Sequence, residues 1–291
     1  MQLVHTATRE ARLLAILRHE LALSSGLVKR LKWQGAFRVN GTVARTGALV
    51  RPGDRVTVDL SEQPTGFPPE DRPLEILYED ECMLALDKPR GLLVHPSPQR
   101  NTGTLANAVL GYYARTGQAC GVHPVTRLDR DTFGVVLLAK NAYIHEKFCE
   151  MQRTHQIRKT YHASVLGGPA AERGVITLPI ARKGGRSLLR IVSPYGKECR
   201  TVWRVLARGD GDCVLELRPV TGRTHQLRVH CLYAGYPILG DPQYQTDESA
   251  AFSARRGLQT QELCAKRLEF RHPMTGAPVL IESRQRVYQS P

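Results

Sequence analysis

Residues 127–140 read RLDRDTFGVVLLAK, and this stretch decides the fold. Gly134 to Ala139 is too short and too continuously apolar to be anything but an inner strand or a buried helix segment, and the β-branched Val135 and Val136 favour the strand. Charge stops where the core begins. Asp129 and Asp131 therefore fall on a loop braced by rigid structure. A carboxylate can be aimed from such a loop, although a plain turn would accept Asp equally well.

C-terminal to this run, Asn141 can cap a helix that carries Ile144, Phe148 and Met151 on one face. Tyr161, Ala163 and Val165 then alternate along a strand ended by Gly167-Gly168-Pro169. Leu215 and Leu217 alternate in a further strand, and Thr224 is expected to cap a helix running to Gly235. On the N-terminal side, Leu74–Tyr78 and Met83–Leu86 read as short strands around the acidic turn 79–81. Strands outnumber helices and the two do not interleave regularly. The expected class is α+β with a mixed, largely antiparallel sheet and flanking helices.

The first sixty residues differ in pattern. Leu13, Leu14, Leu17 and Leu21 recur at helical spacing, and Ser24 or Ser25 can cap a second helix with Leu27 and Leu31 on its apolar face. Phe37–Val39, the pair Asn40-Gly41, Val43 and the alternating Val56, Val58 and Leu60 read as a small strand set. The second helix also carries Lys29, Arg30 and Lys32, a candidate phosphate-contacting face that could equally be a solvated one. Residues 61–73, SEQPTGFPPEDRP, hold four prolines and almost no periodicity, so a linker is expected there. The domains are then 10–60, the linker 61–73, and 74–291.

Lys and Arg outnumber Asp and Glu by 41 to 27, a formal charge of +14, which points to a polyanionic partner such as nucleic acid. No stretch is long and apolar enough to span a membrane, and the first residues lack the order of a secretory signal, so a soluble cytoplasmic protein is expected. The seven cysteines form no CxxC pair, which suggests neither a disulfide framework nor a zinc ribbon. His225, His230 and Cys231 match no familiar metal-ligand spacing.

Three segments carry groups that could do chemistry: RLDRDT at 127–132, RKTYHASV at 158–165 and GRTHQLRVH at 222–230. Jointly they supply a carboxylate, a phenol and a guanidinium at the edges of rigid elements. With LYEDECMLALDKPRGLLVHP at 77–96 and HPMTG at 272–276, they resemble the RluA-type family of pseudouridine synthases over nearly all of residues 74–280. Residues 10–60, helix, helix and a hairpin with VNG at its turn, resemble the S4-like RNA-binding domain.

The resemblance implies the pseudouridine synthase fold preceded by a small S4-like α/β domain. It also implies an isomerase that breaks a uridine's N1 bond to ribose and remakes it through C5, with no metal or organic cofactor. Asp129 matches the family's catalytic aspartate, acting as nucleophile on C1′ or as base at C2′. Such a carboxylate stays ionised in a site that excludes water only with a cation beside it, and Arg228 matches the arginine paired with it. Tyr161 matches the tyrosine that stacks on or deprotonates the base. Arg127 is expected to fill the gap left by a flipped nucleotide, and Lys29, Arg30 and Lys32 to add RNA affinity.

The expected partner is RNA, ribosomal RNA favoured with transfer RNA as the alternative, with neither membrane nor DNA, and the enzyme is expected to be monomeric. The family usually has His before RLD and Ser after the Thr, where this chain has Thr126 and Phe133. Two other readings remain open on sequence grounds. One is a ribosome-associated RNA binder without turnover, and the other a hydrolase using Asp129 and Asp131.

Overall fold

Two sheets organise the chain, and the run 133–139 lies inside the larger one. The computed structural model describes residues 1–62, 66–97, 100–185 and 187–290; residues 63–65 of the expected linker lie outside the described residues.

The smaller sheet comprises β1 (Gln2–Thr6), β2 (Phe37–Val39), β3 (Thr42–Val43) and β4 (Arg55–Asp59), in the order β1-β4-β2-β3. Val56 and Val58 of β4 point into the core, as their alternation requires. Helical turns over Leu13–Ala15 and Ile16–Glu20 cover this sheet with Leu13, Ile16 and Leu17 buried, while Leu14 is exposed. Helix α1 (Ser25–Trp33) follows, capped by Ser24, whose hydroxyl accepts the Leu27 N–H.

The larger sheet has ten strands, one of them the two-residue His123–Pro124, which pairs with Leu138 and Ala139. Its main path uses β5 (Ile76–Glu79), β6 (Met83–Lys88), β7 (Phe133–Ala139), β8 (Arg158–Leu166) and β9 (Arg173–Ile176). A separate hairpin, β10 (Ile180–Arg182) with β11 (Arg190–Val192), interrupts the chain before β12 (Thr201–Arg208), β13 (Asp212–Pro219), β14 (Leu263–Arg271) and β15 (Pro278–Glu282). The order is β9-β12-β13-β8-β14-β7-β6-β5, with β15 on the outer part of β14. All these pairings are antiparallel except β7 with β14.

Every residue of β7 is buried because both faces of the sheet are covered. Val136 and Leu138 pack with Leu84, Leu86 and the helix α2 (Leu105–Arg115) through Val109 and Tyr113. Val135, Leu137 and Ala139 face Ile144 and Phe148 of α3 (Ala142–Arg153), which Asn141 caps. That second cluster continues into the N-terminal unit through Leu17, Leu27 and Val58.

Polar ties reinforce this junction. Tyr143 donates to the Leu21 carbonyl at 3.0 Å, and Ser24 donates to Glu146 at 2.6 Å. Glu62, at the start of the expected linker, accepts from Arg30 at 3.1 Å and from the Ala142 N–H at 2.9 Å, and lies 2.6 Å from His123. The 61–62 segment is thus tied to both parts of the chain.

Gly134 explains how the parallel pair closes. Its φ is +102°, and a Cβ there would lie 2.4 Å from the Ala265 carbonyl oxygen, so only glycine permits β14 to approach this closely. The approach brings Tyr161, which pairs with Ala265 across β8 and β14, toward the loop that precedes β7.

Candidate active site

Asp129, Tyr161, Arg228 and Arg127 line one cleft of about 1110 Å³. They come from the loop before β7, from β8, from the helix α4 (Gln226–Tyr233) and again from the loop. Lys29, Arg30 and Lys32 do not line it. They stand exposed on α1, where Arg30 pairs with Glu62.

Arg228 is the centre of the polar network. Its Nε donates to Asp241 Oδ2 at 2.6 Å, and its Nη2 donates to Asp241 Oδ1 at 2.8 Å and to Gln243 at 3.0 Å. That fork fixes the guanidinium plane and aims Nη1 at Asp129 Oδ2, 3.0 Å away. Asp241 is wholly buried, and its Oδ1 also accepts the N–H groups of Gln243 and Tyr244. Burial works against charge on Arg228, but Asp241 and Asp129 outweigh it. The guanidinium carbon sits 4.8 Å above the Tyr244 ring.

Asp129 differs from Asp241 in exposure. Its side chain is 32% exposed and only Oδ2 is held by Arg228, so Oδ1 faces the cleft. His225 Nε2 lies 3.8 Å from that oxygen, too far for a hydrogen bond. The imidazole is pushed below the ordinary histidine pKa by burial, with Asp129 pulling the other way, so it is neutral near pH 7. Asp131 borders the same cleft but is paired differently. Both its oxygens accept from Arg130, a neighbour in sequence, and the carboxylate is nearly buried in that pairing.

Burial, and then the nearby Asp129, push the Tyr161 phenol well above its usual pKa, so the ring is protonated at neutral pH. Arg127 is exposed at the mouth. Thr126 and Phe133 both serve the scaffold: Thr126 Oγ1 accepts the Leu137 N–H at 2.9 Å, and Phe133 is buried beneath the Arg90 guanidinium, 3.8 Å from its ring centre.

Three groups that the sequence reading did not assign support this arrangement. Lys88, fully buried, donates to the carbonyls of Pro89, Leu92 and Arg130 at 2.8–2.9 Å, which matches its three N–H donors and pins the 127–132 loop from below. Burial pushes its pKa down to about 8, with Asp131 and Asp129 opposing. A lysine inside an apolar strand, as in LALDKP, is the sequence signal for such a group. Asp241 and Tyr244 come from Gly240-Asp241-Pro242-Gln243-Tyr244, a turn-rich stretch with no periodicity to draw attention. The helix they brace does not start on a Thr224 cap: its N-cap is His225, in left-handed conformation and with no capping side chain.

Replacing Lys88 with Met is expected to leave three carbonyls without their donor, at a cost of about 2 kcal/mol or more, and to loosen the loop. Urea unfolding should report a lower midpoint and RNA turnover a slower rate. An unchanged midpoint and rate would refute the bracing role.

Metal-type donors group elsewhere. Among the described residues Asp80, Cys82 and His272 form such a trio, but it does not line the cleft. Its atoms are committed: His272 Nε2 lies 3.0 Å from Asp80, and His272 Nδ1 accepts the N–H groups of Met274 and Thr275. Burial pushes the Cys82 thiol up to about 11, which keeps it protonated, so the trio reads as a lock on the 272–276 turn. His230 is committed in the same way, to Thr201 and the Leu178 carbonyl.

Residues 83–233 match the family model described as RNA pseudouridylate synthase. The chain is 32% identical over 274 residues to a Bacillus subtilis protein named uncharacterized RNA pseudouridine synthase YhcT, covering 93% of this chain and 88% of that one. It is 33% identical to the ribosomal large subunit pseudouridine synthase D of Pseudomonas aeruginosa, over 91% of this chain and 84% of that one. Among solved structures, the human RNA pseudouridylate synthase domain containing 1 superposes with a TM-score of 0.62, at 23% identity, covering 77% of this chain and 94% of that one.

Proposed function

The chain belongs to the RNA pseudouridylate synthase family, and from that premise we propose that Asp129 is its catalytic carboxylate and that its substrate is a uridine of ribosomal RNA. The observation that carries the reading is the divided carboxylate: Oδ2 is taken by Arg228 and Oδ1 is open to the cleft.

In this reading a flipped uridine enters the cleft and Oδ1 meets the sugar, at C1′ as nucleophile or at C2′ as base. The N1–C1′ bond breaks, the base turns, and a C5–C1′ bond forms as C5 loses its proton and N1 gains one. RNA mass is unchanged. Arg228 holds the carboxylate in place through its Nη1 bond to Oδ2. The protonated phenol of Tyr161 favours stacking on the base over removing its C5 proton from the resting state. Arg127, exposed at the mouth, fills the vacated position in the RNA stack.

The N-terminal unit supplies affinity in this reading, consistent with an S4-like module. Its α1 presents Lys29 and Lys32 beside Trp33, a residue 80% exposed. Cations for phosphate and an aromatic face for a base suit RNA. Several similar proteins are named for the large ribosomal subunit, which favours that RNA over transfer RNA. Among the described residues no helix is long and apolar enough to cross a membrane, and a cytoplasmic location is proposed from the ribosomal RNA substrate.

Mapping pseudouridine across total RNA, in a strain lacking this gene and in its parent, tests the assignment. A ribosomal uridine left unmodified supports it, and loss confined to transfer RNA replaces the target. RNA affinity should also fall steeply with salt, by an order of magnitude or more between about 50 and 200 mM. A flat binding constant over that range would contradict phosphate-led recognition.

A further inference from the structure

The hydroxyl of Tyr244 has two neighbours. It accepts the backbone N–H of Arg190 at 2.8 Å, and its oxygen lies 2.7 Å from His225 Nδ1. The amide can only donate, so the phenolic hydrogen has His225 Nδ1 as its acceptor. The opposite tautomer would leave that hydrogen without an acceptor among the described residues. The network therefore assigns the imidazole hydrogen to Nε2.

That Nε2–H faces Asp129 Oδ1 across 3.8 Å, with no hydrogen-bond partner of its own among the described residues. Asp129 Oδ2 is already held by Arg228. A donor and an acceptor thus confront one another across a gap too wide for a direct bond and suited to one bridging oxygen. An oxygen at ordinary hydrogen-bond distance from both would see them at roughly a right angle.

The bridging group must accept from His225 and donate to Asp129. A carbonyl, a phosphate or an ether oxygen cannot do both, but a hydroxyl can. Within an RNA chain the ribose offers one free hydroxyl, at C2′, and DNA has none there.

The backbone points the same way. His225 holds φ +56°, a left-handed conformation where a helix N-cap is ordinarily extended, and at a position where Ser, Thr or Asp would ordinarily cap. Its side chain caps nothing and is turned to the cleft. Burial keeps the ring neutral near pH 7, the state in which only one nitrogen carries a hydrogen.

We propose that His225 Nε2 and Asp129 Oδ1 together read the ribose 2′-hydroxyl, with Tyr244 setting the imidazole tautomer, so that this pair selects RNA over DNA and seats the sugar against the carboxylate. The inference rests on the reading of Asp129 as the catalytic group.

The test uses the full-length protein and a labelled transcript in which it makes pseudouridine. Unlabelled competitors carry either uridine or 2′-deoxyuridine at the target position. For the parent, the uridine competitor should inhibit about tenfold more tightly, the scale of two net hydrogen bonds. His225→Gly tolerates the left-handed backbone, and Tyr244→Phe leaves the imidazole in place but frees its tautomer. His225→Gly should bring the ratio to about threefold, the bond to Asp129 Oδ1 remaining, and Tyr244→Phe to a value between that and the parental one, mainly by weakening the uridine competitor.

A parental ratio near one, or a ratio unchanged in either soluble variant, overturns the proposal. The reading beneath it fails differently: Asp129→Asn protein would then still convert the transcript.

Discussion

Arg228→Ala is expected to lose both conversion of RNA and about 3–5 kcal/mol of stability. The stability loss comes from Asp241, whose wholly buried carboxylate would keep only the N–H groups of Gln243 and Tyr244 once the guanidinium is gone. Breaking a buried pair from one side costs more than the pair itself contributes, because an uncompensated charge stays behind. The activity loss has a separate cause, since Asp129 loses the Arg228 guanidinium 3.0 Å away and the orientation that Nη1 imposes.

Arg228→Lys separates the two effects. It keeps a positive charge but cannot reproduce the fork to Asp241 and Gln243 while also reaching Asp129. It should fold with intermediate stability and still turn over slowly at best. Urea unfolding with turnover on the same preparations decides the matter: an Arg228→Ala protein that unfolds at the parental midpoint would contradict the account of the buried pair.

The larger sheet was legible where burial was complete on both faces. In GVVLLAK the apolar run ends on a charge and is followed by the cap Asn141, so strand β7 and helix α3 both announce themselves. Helix α2 was not read, because LANAVLGYYAR is apolar nearly all round and carries a glycine; eight of its residues are buried, which erases the one-sided stripe that marks a surface helix. Strand β1 was missed because Leu3 alone among its five residues is buried. Its place follows from pairing with β4, more than fifty residues away.

The candidate site divides along the same line. Asp129, Tyr161 and Arg228 each sit in a distinctive local string, and one cleft unites them. Lys88 acts through the Arg130 carbonyl, Asp241 through Arg228, and Tyr244 through His225. Those links exist only once the chain is folded. The left-handed turn at His225 is equally unreadable, since histidine favours that region only modestly over other residues and no glycine occupies the position.

The central claim is that the open oxygen of Asp129 carries the reaction. Asp129→Asn retains the size of the side chain and an oxygen for Arg228, and removes the negative charge on which both nucleophilic attack and proton abstraction depend. Conversion should fall by about a thousandfold or more. Folding should change little, because the side chain is a third exposed and solvent screens what the pair contributes. RNA binding should persist, with one fewer negative charge near the phosphates. Asp131→Asn should be milder, since its partner is the exposed Arg130.

The most direct measurement incubates parent and Asp129→Asn protein with unmodified ribosomal RNA transcript and follows pseudouridine formation over time, with RNA binding measured alongside. The account predicts pseudouridine from the parent and none detectable from the variant, at comparable RNA affinity. Pseudouridine forming at a near-parental rate in Asp129→Asn would contradict it and move the search to Asp131.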